Sequence, residues 1–198
     1  MKANMKADMK ADMKADKKAN INSNQKSDVT SDTKSDTKAA VKSIRNKPLV
    51  VCIAVPLIVG GLSSLLTMGS RAAFRQLQKP PLTPADWVFP VAWGILYVLM
   101  GVASYLVYTA NATPQMRYSA LIAYGVTLVF NFVWPLLFFR LGMRLVAFVW
   151  LLLLLGLVAL TASIFGRVRK SAGLLLLPYL LWTAFAGYLN FGVYLLNR

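Results

Sequence analysis

Trp93, Asn131, Trp134 and Asn190 stand inside segments that are otherwise almost wholly apolar. Indole offers a large flat face and one N–H donor, and a carboxamide offers both donor and acceptor. An asparagine in hydrocarbon is costly unless paired, so each marks either an interhelical hydrogen bond or a ligand contact. Such a set suits stacking around a flat amphipathic molecule and does not suit acid–base chemistry. The chain has no histidine, and of its seven acids six lie within the first 36 residues, leaving Asp86 alone in the rest. Without histidine, imidazole ligation of haem is excluded and most transition-metal sites are disfavoured. The single cysteine, Cys52, permits no intramolecular disulfide and reads as a small hydrophobe within an apolar run. Neither a catalytic set nor a metal-ligating set is expected, and no cofactor is required.

These residues need long apolar elements to carry them. Hydrophobic residues make up 57% of the chain, and one carboxylate cannot keep three quarters of it dispersed in water, so the chain reads as an integral, multi-pass membrane protein. Five apolar runs, at 48–68, 87–109, 118–139, 145–166 and 173–196, each approach the ~20 residues that span a bilayer. Short connections at 110–117, 140–144 and 167–172 make consecutive helices antiparallel neighbours. The expected fold is an all-α bundle of five transmembrane helices over residues 48–198, with Pro56, Pro90, Pro135 and Pro178 inside four of them as kink sites. Residues 1–47 form a second region, a basic low-complexity tail built on MKAD-like repeats and expected to be disordered.

The net charge of +15 resembles a nucleic-acid signal. Its basic residues, however, sit in the tail and between apolar runs, where they meet lipid head groups, so no nucleic-acid partner is expected. The tail and the Arg167, Arg169, Lys170 cluster place the N-terminus in the cytoplasm by the positive-inside rule.

The longest connection leads into the second helix as KPPLTPADWVFPVAWGILYVLMG, residues 79–101. Thr83 and Pro84 read as N-cap and first helical residue, with Asp86 completing a capping box. Phe89, Trp93, Tyr97 and Gly101 follow at steps of four and share one face. In the third helix Tyr124, Thr127, Asn131, Trp134 and Phe138 form a stripe. In the fifth, Tyr179, Trp182, Ala186, Leu189 and Val193 do so, with Asn190 alongside. At ~1.5 Å per residue, Trp93 lies about 10 Å below the loop end of its helix, and Asn131 and Asn190 fall within roughly 5–15 Å of the same face. The stripes therefore converge either in helix packing or, the reading their alignment on three helices favours, on an apolar pocket with few polar groups, under a loop stiffened by Pro80, Pro81 and Pro84 and carrying Arg71, Arg75 and Lys79.

With these motifs, residues 50–196 resemble the translocator protein family, also called peripheral benzodiazepine receptor or tryptophan-rich sensory protein (TSPO/MBR). The resemblance rests on the 79–101 segment, on NFVWPLLFF at 131–139 and on PYLLWTAFAGYLN at 178–190. It implies a five-helix bundle, often a homodimer, that binds porphyrins, sterols and synthetic aromatic ligands beneath its first loop. Trp93, Asn131, Trp134, Trp182 and Ala186 match motif positions that line or border that pocket. The chain departs from the family pattern at Ala73 and Phe74, where Trp-Tyr is common, at Thr83-Pro84-Ala85 in place of Asn-Pro-Pro, and at Trp150, where an acid is frequent. Leu189, Tyr194 and Arg198 fit a weak cholesterol-recognition spacing.

The expected function is a membrane receptor or transporter-like protein for porphyrins, haem among them, with sterol-like molecules as further ligands. Ring packing falls to Phe89, Trp93, Tyr97, Trp134 and Trp182, and ligand acids to the loop cations. Two alternatives are a light- or redox-dependent porphyrin-degrading enzyme and a membrane regulatory scaffold. The expected location is a bacterial cell membrane, with the outer membrane as the alternative.

Overall fold

The structure, a computed structural model, describes residues 47–70 and 74–198. The repeat tail and Arg71 of the long loop lie outside the described residues. Five helices are long and apolar enough to cross a membrane: α1, Lys47–Ser70; α2, Val88–Tyr108; α3, Pro114–Arg140; α4, Arg144–Val168; and α5, Lys170–Leu196. No strand occurs among the described residues, so the all-α, five-helix reading holds.

Helix ends follow capping chemistry rather than the limits of the apolar runs. α3 begins four residues earlier than expected because Thr113 caps it: its Oγ1 accepts from the Met116 N–H at 3.3 Å, and Pro114 fits the first turn. The same Thr-Pro pair at 83–84 does not start α2, a correction to the expected capping box. α2 starts at Val88, and Trp87 holds the capping position without a side-chain cap. The Thr83 hydroxyl instead donates to the Pro80 carbonyl at 2.6 Å, closing a loop turn in which Leu82 takes φ 66°. Asp86 turns toward the loop cations rather than toward helix N–H groups. A side chain engaged in a local turn is lost to the helix it precedes.

Two of the four expected kink sites are benign. Pro90 lies in the first turn of α2, and Pro178 opens the long second part of α5, Leu177–Leu196. Neither position has an intrahelical N–H bond to lose. Pro135 has an effect: α3 leaves α-geometry there and finishes as a π-turn over Leu136–Arg140, with the Leu141 N–H on the Leu136 carbonyl at 2.9 Å.

Of the most apolar window of each helix, 44% of residues are buried in α5 and 17% in α1, which puts α5 inside the bundle and α1 at its edge. α1 still seats closely on α2. A Cβ at Gly101 would stand 2.8 Å from the Cys52 carbonyl oxygen, and one at Gly60 would overlap the Tyr97 ring. Lipid is as apolar as leucine, so polar fasteners matter more here than in a soluble core. Ser63 Oγ donates to the Phe132 carbonyl at 3.1 Å, the Thr127 and Thr161 hydroxyls meet at 2.8 Å, and Trp150 Nε1 donates to the Phe130 carbonyl at 2.9 Å. Trp150 also stacks on Phe130 with centroids 4.3 Å apart.

Candidate functional site

Helix spacing brings the aromatic residues of α2, α3 and α5 together. Trp93 stacks on Tyr97, centroids 5.6 Å apart, and lies 6.2 Å from Trp134 and 6.1 Å from Tyr179. Trp134 stacks on Phe138 at 5.8 Å, and Phe139 meets both edge-on. Phe74 of the long loop closes the column, 5.6 Å from Phe138 and 5.1 Å from Phe139. Edge and offset geometries of this kind each add about 0.5–1.5 kcal/mol beyond area burial. Phe139 was not singled out from sequence, and Phe74 was named there as a departure from the family pattern and not as a site residue. The signal was present in the FF pair and in the aromatic that stands where the family pattern has Trp-Tyr.

Asn131 ties three helices below this column. The Tyr97 hydroxyl donates to its Oδ1 at 3.0 Å, and its Nδ2 donates to the Tyr179 hydroxyl at 2.9 Å. Of the two roles expected for a membrane asparagine, Asn131 fills the interhelical one. Asn190 is 1% exposed, and neither polar atom of its side chain has a partner among the described residues; Trp134 Nε1 and Trp182 Nε1 are likewise buried and unpaired.

The buried face of α5 holds Tyr179, Ala186, Leu189, Asn190 and Val193 of the expected stripe, with Thr183 rather than Trp182 completing it and Gly187 also buried. Trp182 lies on its flank, 6.1 Å from Phe89 and 5.7 Å from Phe185. Trp182 and Phe89 thus form a second aromatic contact, apart from the ring pairs of Trp93. The expected sterol trio does not share one surface: Leu189 is buried, Tyr194 is half-buried and packs toward Phe191 at 6.3 Å, and Arg198 is exposed. Residues 189 and 194 stand about 140° apart on a helix.

The long loop is fastened to α5. Gln78 N–H donates to Asn197 Oδ1 at 3.0 Å, and Asn197 Nδ2 returns a bond to the Gln78 carbonyl at 2.9 Å. The Tyr188 hydroxyl donates to the Pro81 carbonyl at 2.9 Å. Pro80 is buried against Gly192, where an added Cβ would stand 2.6 Å from the Pro80 Cβ. Pro81 is exposed and Pro84 half-buried. Arg75 Nε and Lys79 Nζ each stand 3.4 Å from one oxygen of Asp86, and the Lys79 ammonium lies 5.2 Å from the Phe74 ring centroid. Among the described residues no three His, Cys, Asp or Glu side chains gather.

The profile of the TspO/MBR family matches residues 52–196. The tryptophan-rich protein TspO of Chlorobaculum tepidum is 36% identical over 150 residues, covering 75% of this chain and 95% of the relative. The translocator protein of Bos taurus is 36% identical over 153 residues, 76% of this chain and 90% of the relative. The tryptophan-rich sensory protein of Cereibacter sphaeroides is 36% identical over 124 residues, 63% of this chain and 76% of the relative.

Proposed function

The chain belongs to the TspO/MBR family, and from that premise we propose that it is a receptor or transporter-like protein for porphyrins and similar flat, acid-bearing aromatics. The observation that carries this reading is the aromatic column from Trp93 through Trp134 and Phe138 to Phe74, with the Lys79 ammonium held over its outer ring. A porphyrin needs broad apolar faces for its ring and cations for its propionates, and the column and the loop supply these side by side. The ring inserts among Phe89, Trp93, Tyr97, Trp134 and Trp182, with Ala186 leaving room on α5, while Arg75 and Lys79 face the propionates. The loop acts as the lid, released from α5 when ligand enters. Sterol-like molecules are secondary ligands of the same apolar surface. The protein resides in a bacterial cell membrane as a homodimer.

Titration with protoporphyrin tests the assignment. Trp93→Ala loses roughly 1–3 kcal/mol of binding, as for one large aromatic contact. Trp87→Ala, at a residue 68% exposed, loses much less. Equal affinities in two folded variants remove Trp93 from the site.

A further inference from the structure

Asp86 is the one carboxylate in residues 37–198. It does not cap α2, and it offers one oxygen to each of the loop's two described cations, Arg75 and Lys79, at 3.4 Å. One oxygen toward each cation is the arrangement a ligand carboxylate would also adopt, here at distances longer than the about 2.7–2.9 Å of a tight charge-assisted bond. The seat is also built onto the aromatic column. Lys79, its side chain 27% exposed, lies over Phe74, and Phe74 packs on Phe138 and Phe139.

We propose that Asp86 is a built-in occupant of an anion seat formed by Arg75 and Lys79, and that the acid group of an aromatic ligand binds by displacing it. This deepens the reading of the column and loop as a ligand site, and rests on it. Asp86 thereby sets the selectivity for acids. Both cations stay paired with the one carboxylate of Asp86, with one net positive charge left over, until a carboxylate attached to a bound ring competes for them; an acid without a ring competes with a tethered carboxylate and is at a disadvantage. Each pair is partly solvated and weak, so the exchange is close to balanced and reversible. Were Asp86 merely a brace for the loop, removing its charge would loosen the lid for every ligand alike.

The test uses the full chain in detergent with two matched pairs of probes: pyrenebutyrate and its methyl ester, and protoporphyrin and its dimethyl ester. Asp86→Asn tightens both acids by about three- to tenfold and leaves both esters within about twofold, the range that weak exposed pairs allow. In an Arg75→Gln/Lys79→Gln background, Asp86→Asn no longer alters acid affinity, because there is no seat to vacate. Acid and ester moving together, or acids weakening, overturns the proposal in favour of a structural brace. Gain for pyrenebutyrate with no protoporphyrin binding keeps the seat and removes the porphyrin reading. Protoporphyrin binding that ignores both Asp86 and esterification keeps that reading and removes the seat. If no probe binds the wild type or Asp86→Asn, both fall.

Discussion

Asn131→Leu tests whether the node beneath the aromatic column is framework or ligand contact. The substitution removes two buried hydrogen bonds, from the Tyr97 hydroxyl and to the Tyr179 hydroxyl. Interhelical bonds in membranes average ~0.6 and reach ~1.7 kcal/mol, so the pair is worth about 1–3 kcal/mol. Both hydroxyls are then left buried without a partner, which adds about 1–3 kcal/mol unless water reaches them. The single variant should therefore lose about 2–6 kcal/mol. Replacing Tyr97 and Tyr179 with Phe as well removes the orphaned groups, and the triple variant should recover at least half of that loss. Denaturant unfolding in mild detergent, followed by intrinsic fluorescence, reads both values. Because the Asn131 carboxamide is spent on two tyrosines, the folded triple variant should bind protoporphyrin within about twofold of wild type, well under the effect of losing one aromatic contact. A triple variant no more stable than the single refutes the orphan argument. A stable triple variant with tenfold weaker binding makes Asn131 a ligand contact.

Three further outcomes follow from the same geometry. Thr113→Ala should cost about 1 kcal/mol by uncapping α3, whereas Thr83→Ala should leave the helix content measured by circular dichroism unchanged, because Thr83 caps nothing. Gly192→Ala places a methyl group against Pro80 and lifts the loop from α5, so protoporphyrin should dissociate about three- to tenfold faster in stopped-flow measurements while its association changes little. Trp150→Phe keeps the stack on Phe130 but loses the indole bond to the Phe130 carbonyl, costing about 0.5–1.5 kcal/mol of stability; calorimetric titration should show protoporphyrin affinity unaltered.

The spans were legible because each is an apolar run with its charges pushed to the ends, and because Phe89, Trp93 and Tyr97 repeat at steps of four. The place of Trp182 on α5 was not. In a soluble protein the apolar face turns inward, but a membrane helix is apolar all round, and large aromatics occur on both faces. Reading the stripe from ring size put Trp182 in it. Reading from polarity finds the buried face, since Thr183 and Asn190 are the non-aromatic polar residues of its long second part, Leu177–Leu196, and both are buried. The start of α2 was misread for a different reason. Thr83 and Asp86 carry valid capping chemistry, yet the Pro80 carbonyl and the loop cations compete for the same side chains. Local spacing cannot rank such partners when one of them is set by the path of the loop. The fastening of Gln78 to Asn197, 119 residues apart, has no local signature at all.

What the bundle consumes bears on what it can recognise. Tyr97, Asn131, Tyr179, Thr127, Thr161 and the indole of Trp150 are all spent in holding helices together. That leaves the Tyr124 hydroxyl, Trp134 Nε1, Trp182 Nε1 and the Asn190 carboxamide as buried groups whose hydrogen bonds no described residue satisfies. A buried donor left unmade costs about 1–3 kcal/mol, so a ligand that accepts from one of the indoles gains more than its ring contacts alone supply. The polar supply is nevertheless small and almost neutral, and the described charges of the long loop are those of Arg75, Lys79 and Asp86. On the function proposed above, shape and ring area decide which molecules enter the column, and the loop charges decide which of those stay. A ligand with a flat apolar body and an acid at one end meets both conditions. A sterol, with no carboxylate to displace Asp86, meets only the first.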